Sequence, residues 1–529
     1  MGAKGQKTHV PDSLFCGGPI LTQDETNPRA EAVLVRGEHT AFVGSLADAE
    51  SLASPAAERI DLGGRALLPG FHDAHVHLTQ HGFDLSRLNL VQTQTLAEAL
   101  ELVAARVNGQ EPGTWLQGSG LSMSRLNLSR LDKRDLDRVS PQHPVVLRSQ
   151  DGHSVWVNSL ALEQLSIGPD TPDPENGVIE RDDRGEPTGR LLELATKLLD
   201  AAIPQPSDAE LQNALRQAGE DLASLGITTV HHMAYEPARN WRQLALAASR
   251  DDFPLRVWAC VDQEHIEAAD ALGLATGQGG DRFTVGGAKF FADGALGSLT
   301  AWMLSPYTGT DTTGVTVHGP EVLRERYPKA LDAGLTLVTH AIGDAANRAV
   351  LDALEATRDQ WQAKGLRPRL EHAQHLHPDD VARASQLGVV VSMQPIHLTF
   401  DVKRIGELLA SRQDGAYRTK SLLEAGTVLA FGSDTPVASP DVITGIRAAC
   451  RRKAVDGSVL NPAEALTIDE ALAAYTRGAA YAISREHRSG QLRAGFDADF
   501  VMLSHDPHTS LDELSVAGTM LAGTWTYRP

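Results

Sequence analysis

Cysteine is scarce in this sequence, because the 529 residues include only Cys16, Cys260 and Cys450. The three are odd in number, far apart and outside any paired spacing that holds metal ions. A disulfide framework is therefore not expected. No motif surrounds Cys260 or Cys450, so the sequence offers no cysteine nucleophile.

Long apolar runs are missing as well. No segment approaches the roughly eighteen continuous apolar residues of a membrane span. The first fourteen residues contain Lys4, Lys7 and His9 but no apolar block after them, so no secretory signal is expected. A cytoplasmic location without a membrane partner is the resulting expectation.

Basic residues are fewer than acidic residues in this sequence. The 48 Lys and Arg against 68 Asp and Glu give a formal net charge of −20. This acidic balance, with no basic run interleaved with aromatics, argues against a nucleic-acid partner. The expected partner is a small-molecule substrate, and a homodimer is the commonest assembly for such a chain.

Short strands punctuated by glycine are expected at both ends of the chain. They are residues 32–38, 40–44, 58–64, 490–503 and 516–527. These runs are too short and too rich in glycine for helices. We predict that residues 1–65 and 485–529 together form a small β-sandwich domain.

Between these ends, strand-like runs alternate with amphipathic helical stretches at the spacing of βα units. The eight runs are 66–77, 227–232, 255–261, 284–292, 335–340, 369–373, 389–394 and 428–434. Eight such units close a barrel, so the predicted fold class is α/β with a (β/α)8 TIM-like barrel over residues 66–484. Residues of about 90–205 break the rhythm and are predicted to be a subdomain inserted after the first barrel strand.

Two histidines one residue apart, His75 and His77, end the first of these runs. Side chains alternate along an extended chain, so the two imidazoles point the same way. Two imidazoles on one face at a strand end favour a divalent-metal site. A lone His-x-His is an ordinary pair of surface or core residues about as often as it is a metal site. Further candidate ligands are therefore needed to decide between the two.

A lysine inside an apolar strand is the second unusual feature. Lys289 lies in the run 284–292. A buried, unpaired ammonium is costly, so Lys289 needs a carboxylate partner or another chemical state. One alternative is a salt bridge to Asp293 or another acid. The other is the carbamate formed with carbon dioxide, which is anionic and can bridge two metal ions.

Three more strand-like runs end in residues that bind metals, namely His340, His372 and Asp434. Histidine is a ligand that suits Zn²⁺. Asp434 can bind a metal and accept the proton of a metal-activated water, or it can cap the helix that follows. Because the carboxyl ends of barrel strands form the active face, these side chains are predicted to converge.

This set of residues resembles the amidohydrolase superfamily, and more narrowly its YtcJ-like branch (amidohydrolase family 3), which includes N-substituted formamide deformylases. The phrases that carry the resemblance are Lys289-Phe290-Phe291-Ala292-Asp293-Gly294-Ala295-Leu296-Gly297-Ser298, His340-Ala341-Ile342-Gly343-Asp344, Glu371-His372-Ala373-Gln374 and Asp151-Gly152-His153-Ser154. The resemblance runs from about Ala32 to Tyr527. It implies a metal-dependent hydrolase with a barrel and a small β-sandwich.

The resemblance also implies a metal centre of one or two divalent ions per subunit, with Zn²⁺ as the expected metal. The implied ligands are His75, His77 and Asp434 for a first ion, His340 and His372 for a second, and Lys289 as a bridging carbamate. Other members of the superfamily hold a single metal, which is the alternative to a pair bridged by the carbamate.

Polar residues just past the strand ends are candidates for contact with the substrate. These are His153 in the insertion and Asp293, Gln394 and His397 in the barrel. Polar residues near glycine often form turns instead. His231 and His232 end the second barrel strand and are expected to support the ligands or to face the substrate.

The function that this pattern favours is hydrolysis of a non-peptide, amide-like C–N bond. Metal-activated water would attack the carbonyl carbon, and Asp434 would act as general base and pass the proton to the leaving nitrogen. One alternative is deamination of a ring amidine, which usually runs on one metal without a bridging lysine, so Lys289 counts against it. A second alternative is a non-catalytic, metal-binding or regulatory barrel, which would be expected to lack Asp434 or a histidine.

Overall fold

The computed structural model describes residues 12–123, 126–149, 154–174 and 177–529. By contact, the described residues form two compact units. One holds the residues up to Leu78 together with Leu215–Pro529, and the other holds Thr79–Ala214. Among the described residues, no helix combines the length and the apolar character needed to cross a membrane.

The strands are numbered in chain order. They are β1 (Ser13–Leu21), β2 (Arg29–Arg36), β3 (His39–Gly44), β4 (Glu58–Asp61), β5 (Ala66–Pro69), β6 (Phe71–Val76), β7 (Leu88–Asn89), β8 (Leu116–Leu121), β9 (Val145–Ser149), β10 (Ser154–Val157), β11 (Gly177–Arg181), β12 (Pro187–Glu193), β13 (Ile227–His232), β14 (Arg256–Asp262), β15 (Phe283–Phe291), β16 (Leu337–Ala341), β17 (Arg369–His372), β18 (Val390–Met393), β19 (Leu429–Phe431), β20 (Phe500–Leu503), β21 (Val516–Leu521) and β22 (Thr524–Tyr527).

The α-helices are numbered in the same way. They are α1 (Leu46–Leu52), α2 (Leu78–Ser86), α3 (Leu96–Val107), α4 (Lys133–Val139), α5 (Ser159–Gln164), α6 (Asp208–Ser224), α7 (Ala238–Ala248), α8 (Ile266–Ala271), α9 (Pro320–Asp332), α10 (Asp344–Ala356), α11 (Arg358–Ala363), α12 (Pro378–Leu387), α13 (Leu398–Leu409), α14 (Thr419–Glu424), α15 (Val442–Arg451), α16 (Ile468–Tyr475) and α17 (Arg477–Ala482). Short 3-10 helices are Leu194–Ala201, Gln263–His265, Pro395–His397, Ala410–Gly415 and Pro462–Glu464.

Both ends of the chain contribute to one eight-stranded sheet. Its order is β22-β21-β20-β5-β1-β2-β3, and β4 pairs with β1. A core that includes Phe15, Leu67, Phe500 and Met520 packs against it. Strands from the N-terminal and C-terminal segments therefore lie in the same sheet, joined where β20 pairs antiparallel with β5.

The predicted strand over residues 66–77 consists of two strands in different sheets. Ala66–Pro69 pairs with β20 in the small sheet, whereas Phe71–Val76 pairs with β13 in the barrel. The chain changes sheets at Gly70, where an added Cβ would lie 2.3 Å from the Thr228 side chain. Both strands are fully buried, so the sequence predicts a single strand over this run. The Pro69-Gly70 pair, which is typical of a turn, is the one local sign of the boundary.

The barrel is a parallel sheet of eight strands, as the sequence predicts. Its order is β6-β13-β14-β15-β16-β17-β18-β19. The last residues of β6 contact the segment that follows β19, where Val76 bridges Thr435 and the Asp434 amide donates to the His75 carbonyl at 2.7 Å. The strands are almost wholly buried, which explains their near-continuous apolar sequence.

The unit Thr79–Ala214 has a sheet and a core of its own. The sheet order is β11-β12-β10-β9-β8-β7. Its core includes Leu90, Val103, Leu136 and Trp156. Its helix α3 begins at an N-cap residue, Thr95, whose side chain accepts a hydrogen bond from the amide of Glu98.

A buried ion pair joins the barrel to the small sheet. Arg256 donates to Asp499 through Nε at 2.6 Å and Nη2 at 3.0 Å, and both side chains are buried. We expect Asp499→Asn to lower the free energy of unfolding by about 2–4 kcal/mol, because Arg256 loses the nearer of its two buried carboxylates and keeps only Asp497 at 3.7 Å. Chemical denaturation followed by circular dichroism measures the change.

The matched control is Asp252→Asn, which alters an exposed pair with Arg250 and is expected to leave the denaturation midpoint unchanged. Burial alone would raise the pKa of Asp499, but Arg256 lowers it below its ordinary value of 3.8. The contribution of Asp499 is therefore present above pH 4 and is lost as the pH falls further. Equal midpoints for both variants would contradict this role of the pair.

Candidate metal centre

His75, His77 and Asp434 converge at the carboxyl end of the barrel. Strand β6 carries His75, His77 follows the strand directly, and Asp434 follows β19. The Nε2 atoms of both histidines lie 3.4 Å from Oδ1 of Asp434. One ligand atom from each of the three residues lies within 4.8 Å of the others, which is close enough to hold one metal ion.

The backbone of Asp434 is held in an uncommon conformation. Its φ is +62°, in the left-handed region that non-glycine residues seldom adopt. The preceding Ser433 donates its amide (2.9 Å) and its hydroxyl (2.5 Å) to the buried Asp73. Asp434 does not cap the helix that follows, since Asp441 caps α15. Strain of this kind commonly marks a functional residue.

The orientation of His75 is set by a buried carboxylate. Its Nδ1 donates to Oε2 of Glu371 at 2.7 Å, so Nε2 presents its lone pair to the site. Arg369 donates in turn to both oxygens of Glu371, at 2.8 and 3.2 Å. Burial alone would raise the pKa of Glu371, but Arg369 and His75 lower it, so the carboxylate stays ionised.

His340 and His372 lie beside each other, with ring centroids 4.4 Å apart, and the His372 ring is 4.7 Å from His75. Nε2 of His340 donates to the Gly294 carbonyl at 2.9 Å, which leaves Nδ1 as the free lone pair. Nδ1 of His372 donates to Oε1 of Gln394 at 2.8 Å, which leaves Nε2 free. Both rings thus keep one nitrogen available for a metal.

Lys289 is fully buried on β15, and its Nζ has no hydrogen-bond partner among the described residues. The Phe291 ring centroid lies 5.1 Å from that nitrogen. Burial lowers the pKa of Lys289. The alternative salt bridge to Asp293 is not observed, because Asp293 accepts instead from the amides of Trp302, Ile342 and Gly343.

The electrostatics of the site fit a bound cation. Burial lowers the pKa of His75 to about 4 and that of His340 to about 3, so both rings are neutral at pH 7. Burial alone would raise the pKa of Asp434, but His75 and His77 hold it well below its usual range. Neutral imidazoles facing a carboxylate form the nitrogen and oxygen donor set that divalent metals prefer.

Of the residues predicted to touch the substrate, Gln394 is the best placed. It is buried against His372, and its Nε2 has no hydrogen-bond partner among the described residues. Nε2 of His397 donates to the Ser433 carbonyl at 3.2 Å. Asp293 orders three backbone amides, and His153 lies outside the described residues, so their roles in substrate binding stay predictions.

His231 and His232 differ in their surroundings. Nδ1 of His231 accepts from Arg369 at 2.9 Å, so His231 belongs to the hydrogen-bond chain behind Glu371. Nδ1 of His232 accepts from the Leu78 amide at 3.2 Å. Both histidines are buried. Of the two roles expected for them, support of the metal ligands or contact with the substrate, these partners fit the first.

The model of the amidohydrolase family matches residues 58–527 of the chain. The chain belongs to this family. The putative amidohydrolase YtcJ of Bacillus subtilis is 34% identical to it over 97% of the chain and 99% of the relative. The N-substituted formamide deformylase of Arthrobacter pascens is 30% identical over 98% of the chain and 99% of the relative.

Solved structures of similar fold include two archaeal proteins described as uncharacterized metal-dependent hydrolases. The one from Pyrococcus horikoshii superposes with a TM-score of 0.81 at 26% identity, covering 94% of this chain and 98% of its own. The one from Pyrococcus furiosus superposes with a TM-score of 0.79 at 28% identity, covering 94% of this chain and 99% of its own. Nearly the whole amidohydrolase chain is therefore matched by solved structures.

The sequence did not reveal the residues that orient the predicted metal ligands of this amidohydrolase, which are Asp73, Arg369 and Glu371. Two weak signals were present. Asp73 precedes His75 by two residues, and Glu371 is an acidic residue inside a buried strand. Neither signal identifies a partner, because His75 and Glu371 are 296 residues apart in the chain.

We expect Glu371→Gln to weaken divalent-metal binding by about 10–100-fold, because His75 loses the charged acceptor that fixes its orientation. Metal competition with a chromogenic chelator measures the affinity. Glu355→Gln is the control, because Glu355 lies on the surface and pairs with Arg383. An unchanged affinity in Glu371→Gln would show that His75 is held by other contacts.

Proposed function

We propose that this amidohydrolase is a metal-dependent hydrolase of a non-peptide C–N bond in an amide-like substrate. The observation that carries the proposal is the convergence of His75, His77 and Asp434 at the barrel's carboxyl end. The relationship to an N-substituted formamide deformylase over nearly the whole chain supports the bond type. N-substituted formamides and N-acyl compounds are the substrate classes to test first.

The residues that would hold metal fall into two groups. His75, His77 and Asp434 would bind one divalent ion, and His340 with His372 would bind another. A divalent ion bound there supplies activation of water and polarisation of the substrate carbonyl. Zn²⁺ is a metal that suits this imidazole and carboxylate set, and it is the first to test.

Asp434 would act as the general base. Its carboxylate is ionised, and it lies between the two histidines at the strand ends, where a reacting water would be placed. It accepts the proton of the attacking water and passes it to the nitrogen as the C–N bond breaks. The products are then a carboxylic acid and an amine, and Asp434 returns to its starting state.

Gln394 would position the substrate. Its Oε1 is engaged by His372, so the side-chain amide is fixed while Nε2 keeps two hydrogens to donate. The carbonyl oxygen of an amide-like substrate is an acceptor that such a donor can bind. Gln394 would therefore orient the amide group toward Asp434 through its oxygen.

Lys289 would act in its carbamate form. An amine reacts with carbon dioxide only when it is neutral, and burial favours the neutral form of Lys289. The carbamate carries a negative charge and two oxygens, and it would satisfy a buried nitrogen that otherwise has no partner. This form would link the two groups of ligands.

The test is a substrate panel run on metal-free protein and on the same protein reloaded with Zn²⁺. The panel holds N-substituted formamides, N-acyl amino acids, cyclic imides, esters and ring amidines. We expect metal-dependent release of an amine from an amide-like member. Ammonia released only from a ring amidine would favour the deaminase alternative, and equal rates without metal would contradict the proposal.

A further inference from the structure

We propose that a pocket beside barrel strands β13 and β14 binds a small organic ammonium ion, consisting of one apolar group and one cationic nitrogen. The pocket lies between α7 and α8, at the carboxyl ends of the two strands. The residues that line it are His232, Ala234, Glu236, Ala238, Trp241, Val261, Asp262, His265, Ala268, Ala269, Leu272 and Leu274. None of the six predicted metal ligands is among them.

The size and the apolar lining of the pocket indicate how large the apolar group of the ligand can be. Its volume is about 170 Å³. Apolar cavities of roughly 150 Å³ accept a benzene-sized molecule. Ala234, Val261 and Ala269 are buried in its wall, whereas Leu272 is 76% exposed at its edge. The pocket therefore suits a single ring or a short branched chain that enters from the solvent side.

The charged residues of the lining indicate which polar group the ligand carries. Oε1 of Glu236 is buried and has no hydrogen-bond partner among the described residues. Its other oxygen accepts from the Asn240 side chain at 3.2 Å. Asp262 supplies a second carboxylate, and no Lys or Arg is among the lining residues. A buried carboxylate oxygen without a partner favours a ligand that brings a charged donor.

Trp241 provides a fixed aromatic wall. Its Nε1 donates to the Cys260 carbonyl at 3.0 Å, and its ring packs edge-on against Phe283 at a centroid distance of 5.2 Å. Because both contacts hold the indole in place, its surface toward the pocket is preformed. Indole faces attract organic cations, so Trp241 and Glu236 select the same class of ligand.

The pocket is separate from the predicted metal ligands but contacts a neighbour of one of them. His232 lines the pocket, and its Nδ1 accepts from the amide of Leu78, the residue after His77. His232 therefore connects a ligand in the pocket to the backbone next to His77, a predicted metal ligand. This inference does not depend on the proposed function, because it concerns binding alone.

The test is isothermal titration of the full chain with three probes of one shape, namely benzylammonium, benzyl alcohol and benzoate. We expect benzylammonium to bind most tightly and benzoate not to bind. Glu236→Gln should weaken benzylammonium by at least about tenfold and leave benzyl alcohol unchanged. Glu267→Gln is the control, because this residue lies exposed on α8 outside the lining.

A second variant locates the bound cation. Asp434→Asn should leave benzylammonium binding intact, because Asp434 does not line the pocket. Loss of binding in Asp434→Asn but not in Glu236→Gln would place the cation at the metal centre and overturn the proposal. Equal affinities for the three probes, or no binding of benzylammonium, would overturn it as well.

Discussion

Asp434→Asn is expected to lower kcat by about 10²–10⁴-fold while the fold and much of the metal remain. The amide oxygen of asparagine can still approach a metal ion, but it cannot accept the proton of the attacking water. KM should change much less than kcat, because the proposed substrate contact of Gln394 is kept. Steady-state kinetics on the best substrate of the panel, together with metal analysis of the variant, provide the measurement.

Asp441→Asn is the matched control for this variant. Asp441 caps α15 by accepting from the amides of Ile443 and Thr444, and asparagine caps a helix equally well. Its activity should therefore stay near that of the unaltered protein. If Asp434→Asn retained near-normal rates with full metal, another group would have to serve as the base.

Lys289→Met is expected to remove one of two bound ions and to reduce turnover by roughly 10²–10³-fold. Methionine keeps most of the apolar volume beside Phe291 but has no amine that could form a carbamate. A small carboxylate such as acetate should restore part of the activity in the smaller Lys289→Ala, because it can occupy the space of the missing side chain. Metal stoichiometry and rates with and without acetate check both statements.

A purely structural lysine would behave differently. Lys289→Met would then keep the metal stoichiometry of the unaltered protein, and acetate would not change the rate of Lys289→Ala. Either of these results would remove the carbamate from the account and leave the His75, His77 and Asp434 site standing.

The barrel could be predicted from the sequence because its strands are parallel and buried. Such strands appear as short apolar runs, and each run here is followed by the pattern of a helix. The predicted strand 227–232 coincides with β13, and 369–373 exceeds β17 by one residue. The division between β5 and β6 was missed, because both strands are buried and only Gly70 separates them, although Pro69-Gly70 is a local turn signal.

The sequence offers candidate metal ligands because histidine and aspartate are conspicuous at the ends of apolar strands, and the structure brings His75, His77 and Asp434 together. The residues that fix their orientation could not. Glu371 is in contact with His75 only after the barrel has closed, and Asp73 reaches Ser433 across 360 residues. Such pairings depend on tertiary structure, whereas the sequence reveals only local patterns.

The most direct test of the central claim is the divalent-metal content of the purified protein, measured by mass spectrometry after incubation with Zn²⁺ and dialysis. We predict at least one tightly bound ion per chain, and a clear loss of that ion in His77→Ala. A folded protein that retains no divalent ion after Zn²⁺ has been offered would contradict the account.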